Sequence, residues 1–227
     1  MNSDIRRKRS NWAVFSDFDG TIAHPDTLNF LAESFETPEF RKNIGRRIAN
    51  GEISLREGIR QEVEAIRGSM QDVLDMLKSH VTIDAAFPAF ARWCRTERIP
   101  LTVLSGGMRQ VIETLLRPFE LNHVMIVANR VMVENDRWRI EFLDETPWGH
   151  DKAAALRRAK AGGFSTIFLG DGLSDRGAAG EADIVFAKAG LAAYCAEQKI
   201  DHRRFNDFSE IQAEIKRLQS HGPTSRP

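Results

Sequence analysis

The sequence is poor in cysteine. Its 227 residues contain only Cys94 and Cys195, and no CxxC pair. Two thiols cannot make a disulfide framework, so the expectation is two reduced, packed cysteines in a cytoplasmic protein. An excess of charge of one sign is missing too. Lys plus Arg and Asp plus Glu each total 32, for a formal net charge of zero. No global field then recruits nucleic acid or an anionic membrane, and any polyanion site must be local. Long apolar runs are absent. None approaches transmembrane length, and the run after the basic start "MNSDIRRKRSN" is too short and too acidic for a signal-peptide core. "RRKR" reads as a solvated tail and "SHGPTSRP" as a frayed end. The expected partner is therefore neither nucleic acid nor a membrane. There is no internal repeat and no low-complexity segment.

What is present is an ordinary globular balance, 42% apolar and 28% charged, in a chain long enough for one core plus a small accessory domain. Short apolar runs alternate with helical patterns. "WAVFS" (12–16), "LTVLSGG" (101–107), "HVMIVAN" (123–129), "FSTIFLGDG" (164–172) and "ADIVFAK" (182–188) read as strands. "MRQVIETLLRPF" (108–119), "DKAAALRRAKAGG" (151–163) and "FSEIQAEIKRLQ" (208–219) read as helices, and 130–143 as a hairpin turning at Glu134-Asn135-Asp136. Alternation of this kind predicts an α/β fold, a parallel sheet covered on both faces. Residues 26 to 80 break the alternation with several amphipathic helices and no strand. They are expected to form a helical insertion, so that 1–24 and 82–227 make the core and 25–81 a cap.

The first strand ends in "SDFDGT". Asp17 and Asp19, two residues apart, project together at its C-terminal end. In open α/β sheets ligands bind at that edge. Two carboxylates there repel, and a hard divalent cation such as Mg²⁺ offsets the cost. Gly20 permits close backbone approach, and Thr21 offers a hydroxyl. Alone, a DxD pair is weak. Two further strand ends carry "LSGG", with Ser105 and the Gly106 and Gly107 amides, and "GDGLSD", with Asp171 and Asp175. Lys152 opens the helix before the latter strand. Metal-binding carboxylates, amide donors, a hydroxyl and a cation are the components of phosphoryl transfer.

The order DxDGT, SGG, Lys, GDGxSD resembles the haloacid dehalogenase superfamily of phosphohydrolases, over nearly the whole chain. The resemblance implies a Rossmann-like core with a small helical cap inserted after the first motif. It implies Asp17 as nucleophile, passing through an aspartyl-phosphate, and Asp19 as general acid and then base. Ser105 and the Gly106 amide would hold the phosphoryl group, with Thr21 and Gly107 beside them. Lys152 would neutralise charge on Asp17 and the phosphate. Asp171 would bind Mg²⁺ with Asp17 and the Asp19 carbonyl, and Asp175 would position Lys152 or complete the metal shell. The family's dehalogenases lack the second Asp, so Asp19 argues for phosphate esters.

Two relatives compete for the substrate. Phosphoserine phosphatases carry a Glu where Asp26 stands and an Arg where Glu62 stands. An anionic Glu62 cannot pair with a substrate carboxylate, and Arg60 lies on another helical face. The opening "DFDGTI", "SGGM" and "ISLREGI" look similar to the phosphatase acting on 2-hydroxy-3-keto-5-methylthiopentenyl-1-phosphate. The expectation is a small phosphorylated metabolite as partner and a monomer or homodimer. His24 and Asp26 read as a solvated or capping pair or as pocket lining, Trp148 and His150 as loop packing or the site edge, "RKNIGRR" as a solvated face or an attractor of an anionic substrate, and Arg176 as a surface ion pair. Met108 and Arg109 are either substrate contacts or, for Met108, core. A non-catalytic phosphate-binding module would be expected to lack Asp17, Asp19 or Lys152, and all three are present.

Overall fold

The computed structural model of the protein describes residues 11–221. The basic run at 6–9 and the stretch after 221 lie outside the described residues. Strand β1 (Trp12–Ser16) is buried along its length. Trp12 and Val14 enter one hydrophobic cluster, Ala13 and Phe15 the other. A strand whose alternate side chains meet two cores must be apolar on both faces, which is why "WAVF" shows no polar alternation.

After β1 the chain makes a two-residue strand β2 (Ala23–His24) and then four helices, α1 (Thr27–Phe35), α2 (Pro38–Ala49), α3 (Leu55–Ala65) and α4 (Met70–His80). It returns through β3 (Thr82–Ile83), which pairs antiparallel with β2. Each of the four helices begins on a capping side chain. Asp26, Thr37, Ser54 and Ser69 accept hydrogen bonds from the amides of Asn29, Phe40, Glu57 and Asp72. Such caps satisfy donors that the first helical turn leaves unpaired, which places the helix starts close to where the pattern predicts them.

The rest of the chain adds α5 (Phe87–Glu97), β4 (Leu101–Met108), α6 (Arg109–Leu116), β5 (Met125–Glu134), β6 (Arg137–Glu141) and α7 (Lys152–Ala161). It closes with β7 (Ser165–Gly170), α8 (Arg176–Glu181), β8 (Ile184–Ala187), α9 (Ala189–Glu197) and α10 (Phe208–His221). The six long strands form one sheet in the order β6-β5-β4-β1-β7-β8. All pairs are parallel except β5–β6. One core cluster draws on α5, α6 and α10, the other on α7, α8 and α9, so helices cover both faces. This is the expected α/β, Rossmann-like architecture. β1 lies between β4 and β7, and the chain visits the two sides in turn. The C-terminal ends of these three strands meet where such sheets bind ligands.

Three details depart from the sequence pattern. The expected strand 123–129 and the first arm of the hairpin are one ten-residue strand, β5. No glycine or proline interrupts "VANRVM", and the strand changes partner at Asn129 instead, from β4 to β6. The hairpin turn is Asn135-Asp136, both at positive φ (50° and 58°), as a two-residue turn matching strand twist requires. Helix 108–119 stops at Leu116 and ends in a 3₁₀ turn around Pro118, since proline has no N–H to continue the ladder. Helices α5, α8 and α9 have no counterpart in the sequence pattern.

Candidate active site

The ends of β1, β4 and β7 open into a cavity of about 320 Å³. Asp17, Asp19, Ser105, Gly106, Gly107 and Asp171 line its floor, and Asp26, Arg41 and Glu62 line the wall contributed by the helical segment. Lys152 and Asp175 sit directly behind. The Lys152 ammonium donates to Asp17 Oδ1 (2.6 Å), Asp175 Oδ1 (2.7 Å) and Ser174 Oγ (3.2 Å). The Lys152 side chain is 1% exposed, that of Asp17 8% and that of Asp175 0%, so these are buried, charge-assisted bonds. The other oxygen of Asp175 accepts the amides of Asp171 (2.9 Å) and Gly172 (3.0 Å). Both Asp175 oxygens are engaged, and they hold the GDG turn and the lysine together.

Asp19 is anchored through Oδ1, which accepts the Thr27 amide (2.8 Å) and hydroxyl (2.6 Å) at the start of α1. Its Oδ2 faces the β4 end and Ser105, and a Cβ on Gly107 would lie 2.9 Å from Oδ2 and 3.1 Å from Ser105 Oγ. Only a residue without a side chain lets the β4 loop pass so close. The Gly107 amide donates to Ser105 Oγ (2.9 Å), which leaves the Ser105 hydroxyl hydrogen available for an acceptor. Gly20 answers the same demand: at φ +73°, its Cβ would meet Asp171 Oδ2 at 2.3 Å.

Burial shapes the electrostatics. Burial first, then Asp175, pushes the Asp17 carboxyl well above its ordinary value, against the pull of Lys152. Burial also raises Asp19 against its Thr27 bonds. Burial works against the Lys152 ammonium, but Asp17 and Asp175 hold its pKa above the usual lysine value. Asp171 is pushed up to about 6 by burial and Asp175. Oxygens of Asp17, Asp171 and Asp175 lie within 4.8 Å of one another. Three carboxylates around one ammonium leave negative charge uncompensated, and an all-oxygen donor set suits a hard divalent cation. The residues present fit Mg²⁺.

The motif residues are thus brought together. Thr21 is placed differently from the rest: it is buried outside the cavity lining, and its hydroxyl donates to Asp171 (3.4 Å). Asp26 caps α1 but also lines the cavity. Arg41, from the "RKNIGRR" run, lines it as well, tied to Glu33 (2.6 Å) and Asn29 (3.1 Å). Arg60 points away and pairs with Glu57 and Glu64. Met108 is core, 1% exposed. Trp148, His150 and Arg176 line a neighbouring cavity of about 510 Å³. Rather than joining an ion pair, the Arg176 guanidinium lies 4.5 Å over the Tyr194 ring. Three residues carry no signal in the sequence. Lys188 donates to the Thr21 carbonyl and lies 3.2 Å from His24 Nε2. Asp144 gathers Thr146, His150 and the Asp151 amide ahead of Lys152. Asn129 ties two loops of the site together.

A family model for haloacid dehalogenase-like hydrolases matches residues 14–180, and the chain belongs to that family. It is 33% identical to Pdp3-interacting factor 1 of Schizosaccharomyces pombe, over 90% of this chain and 95% of the relative. It is 30% identical to polyol phosphate phosphatase PYP1 of Saccharomyces cerevisiae, over 90% and 92% respectively. It is also 30% identical to 2-hydroxy-3-keto-5-methylthiopentenyl-1-phosphate phosphatase of Brevibacillus brevis, over 91% and 96%. A solved phosphoserine phosphatase, in a phospho-aspartyl intermediate analogue form, superposes with a TM-score of 0.70 at 19% identity, over 91% of this chain and 99% of that one. That likeness concerns the fold.

Proposed function

We propose that this protein is a Mg²⁺-dependent phosphomonoesterase for a small, polyhydroxylated phosphate ester whose leaving group carries no carboxylate. The observation that carries the hydrolase reading is the Asp17 carboxylate, paired at 2.6 Å with a buried lysine and facing Ser105 and two glycines across the cavity. Asp17 attacks phosphorus and the bond to the ester oxygen breaks, leaving an aspartyl-phosphate. Asp19, protonated on Oδ2, gives that proton to the departing oxygen. It then accepts one from the water that cleaves the acyl phosphate and restores Asp17. Ser105 and the Gly106 amide hold the phosphoryl oxygens, and Lys152 offsets charge on Asp17 and the phosphate. Asp17, Asp171 and the Asp19 carbonyl would hold Mg²⁺, which supplies further neutralisation of the phosphoryl charge. The bonds of Asp175 favour a role in positioning Lys152.

The substrate class rests on the wall opposite. Glu62 is 8% exposed and lines the cavity, and burial pushes its carboxyl up to about 7 against the pull of Arg41. Burial and the neighbouring Asp19 push Asp26 up to about 8. The charge of Arg41 is matched by Glu33. This wall offers carboxyl groups that hydrogen-bond hydroxyls and no unmatched cation to pair with a carboxylate, which disfavours phosphoserine. The polyol phosphate phosphatase and the methylthiopentenyl-phosphate phosphatase that it resembles both suit that polarity. We take 1–24 and 82–227 as the core and 25–81 as a cap closing on the substrate. We place the protein in the cytoplasm, as its two buried free thiols suit a reducing compartment.

The test is turnover with Mg²⁺ on a panel: glycerol phosphates, sugar-alcohol phosphates, the methylthiopentenyl phosphate and phosphoserine. Activity abolished by EDTA and by Asp17→Asn, and strongest on the polyol esters, is expected. Absence of turnover throughout overturns the reading, and a preference for phosphoserine overturns its substrate class.

A further inference from the structure

Asn129 takes no part in the phosphoryl transfer, yet it is the most constrained amide near the site. It stands in β5 where that strand stops pairing with β4 and begins pairing with β6. It is 0% exposed. A buried amide is costly unless its donors and acceptor are all used. Here they are. Nδ2 donates to the Gly106 carbonyl (2.7 Å) and the Gly149 carbonyl (2.8 Å), and Oδ1 accepts the Leu143 amide (2.9 Å).

Those three partners belong to the two loops that perform the chemistry. Between the pairs Ser105↔Ala128 and Met108↔Asn129, Gly106 and Gly107 bulge out of the β4–β5 ladder. A bulge leaves a backbone group without its ladder partner. For Gly106, Asn129 supplies the missing donor, and that carbonyl belongs to the same peptide unit as the Gly107 amide that donates to Ser105. Leu143 and Gly149 lie on the irregular stretch 142–151, which delivers Lys152. Asp144 knits the interior of that stretch through its bonds to Thr146, His150 and Asp151. Asn129 joins the stretch to the phosphate loop.

We propose that Asn129 is a positioning residue, whose single amide locks the phosphate-binding loop to the lysine-bearing loop so that cradle and cation keep one geometry. The proposal rests on the phosphatase reading. No other side chain does this from the same place. Aspartate keeps the shape but loses both donors, serine has one donor and less reach, and glutamine is longer by a methylene.

The test uses the full chain loaded with Mg²⁺. Asn129→Asp and Asn129→Ser should each lower kcat by about 100-fold, the cost of a small misplacement of reacting groups. KM should barely move, and inhibition by inorganic phosphate should weaken. A merely structural role would lower the melting temperature and leave kcat of the folded protein alone. A folded variant with wild-type kcat overturns the proposal. Hydrogen exchange on the wild type needs no variant to fold. Fluoroberyllate, a phosphoryl mimic, should slow exchange of the Leu143 amide together with that of Gly107. Slowing confined to Gly107 overturns the coupling. A wild type that hydrolyses no ester is a different failure, that of the phosphatase reading itself.

Discussion

Lys152 and Asp17 meet at 2.6 Å with almost no solvent contact, and Asp175 grips the same ammonium from behind at 2.7 Å. Removing the cation leaves two carboxylates buried side by side. Lys152→Met should cost about 3–5 kcal/mol in metal-free protein, the usual penalty for orphaning a buried charge. Mg²⁺ should return part of that stability, and turnover should stay down by roughly 10²–10³-fold. Thermal unfolding in EDTA and in Mg²⁺ measures the first effect. An EDTA melting temperature equal to wild type would count against the pairing.

Asp19 should matter according to the leaving group. In Asp19→Asn, formation of the phosphoenzyme from an alkyl phosphate should slow by about 10²–10⁴-fold, the range of general acid catalysis. From p-nitrophenyl phosphate, whose leaving group needs no proton, the same step should slow far less. Burst kinetics isolates that step. Equal losses on both substrates would assign Asp19 a different job.

Glu62 stands in the wall proposed to select the substrate. Glu62→Arg should raise kcat/KM for phosphoserine relative to glycerol phosphate by about tenfold or more, because the wall gains a cation to pair with the substrate carboxylate. Glu62→Gln should relax the discrimination without reversing it. Steady-state kinetics on the two esters decides, and an unchanged ratio in Glu62→Arg removes Glu62 from substrate choice.

Asp26 carries a pH signature. Its folded pKa is about 8, above its unfolded value near ~4. The folded state therefore binds the extra proton, and stability falls as pH rises from ~4 through about 8. Asp26→Asn keeps the helix cap, since Asn and Asp cap equally well, but removes the titration. Between pH ~4 and about 8 the wild type should lose stability relative to the metal-free variant at up to ~1.4 kcal/mol per pH unit, so that near pH ~8.5 the variant leads by several kcal/mol. At pH ~4 and below the gap should be smallest. A constant offset between the two melting curves across pH would locate the titration elsewhere.

Much of the proposed catalytic set is legible in the sequence because Asp17, Ser105 and Asp171 each follow an apolar run and precede a glycine. Lys152 has no such local mark and stands out only through the order of motifs. Asn129 has none at all: its carbonyl partners lie 23 and 20 residues away, a distance at which no spacing rule operates. Glu62 shows in the sequence as a departure, but its burial comes from the packing of α3 against the core and cannot be read locally. Among helices, α1 to α4 are visible through their capping residues. α5 has apolar Phe87, Phe90, Ala91 and Cys94 at helical spacing, but Ala86 gives it no side-chain cap and Pro88 in its first turn is the one mark of its beginning.

The pairing of Ala23–His24 with Thr82–Ile83 has a consequence for how this enzyme diversifies. The two strands bring the ends of the four-helix segment side by side. A segment with neighbouring ends can be exchanged without rethreading the sheet. A different set of helices between those strands would alter the wall of Asp26, Arg41 and Glu62 while Asp17, Lys152 and Asp175 stay where they are.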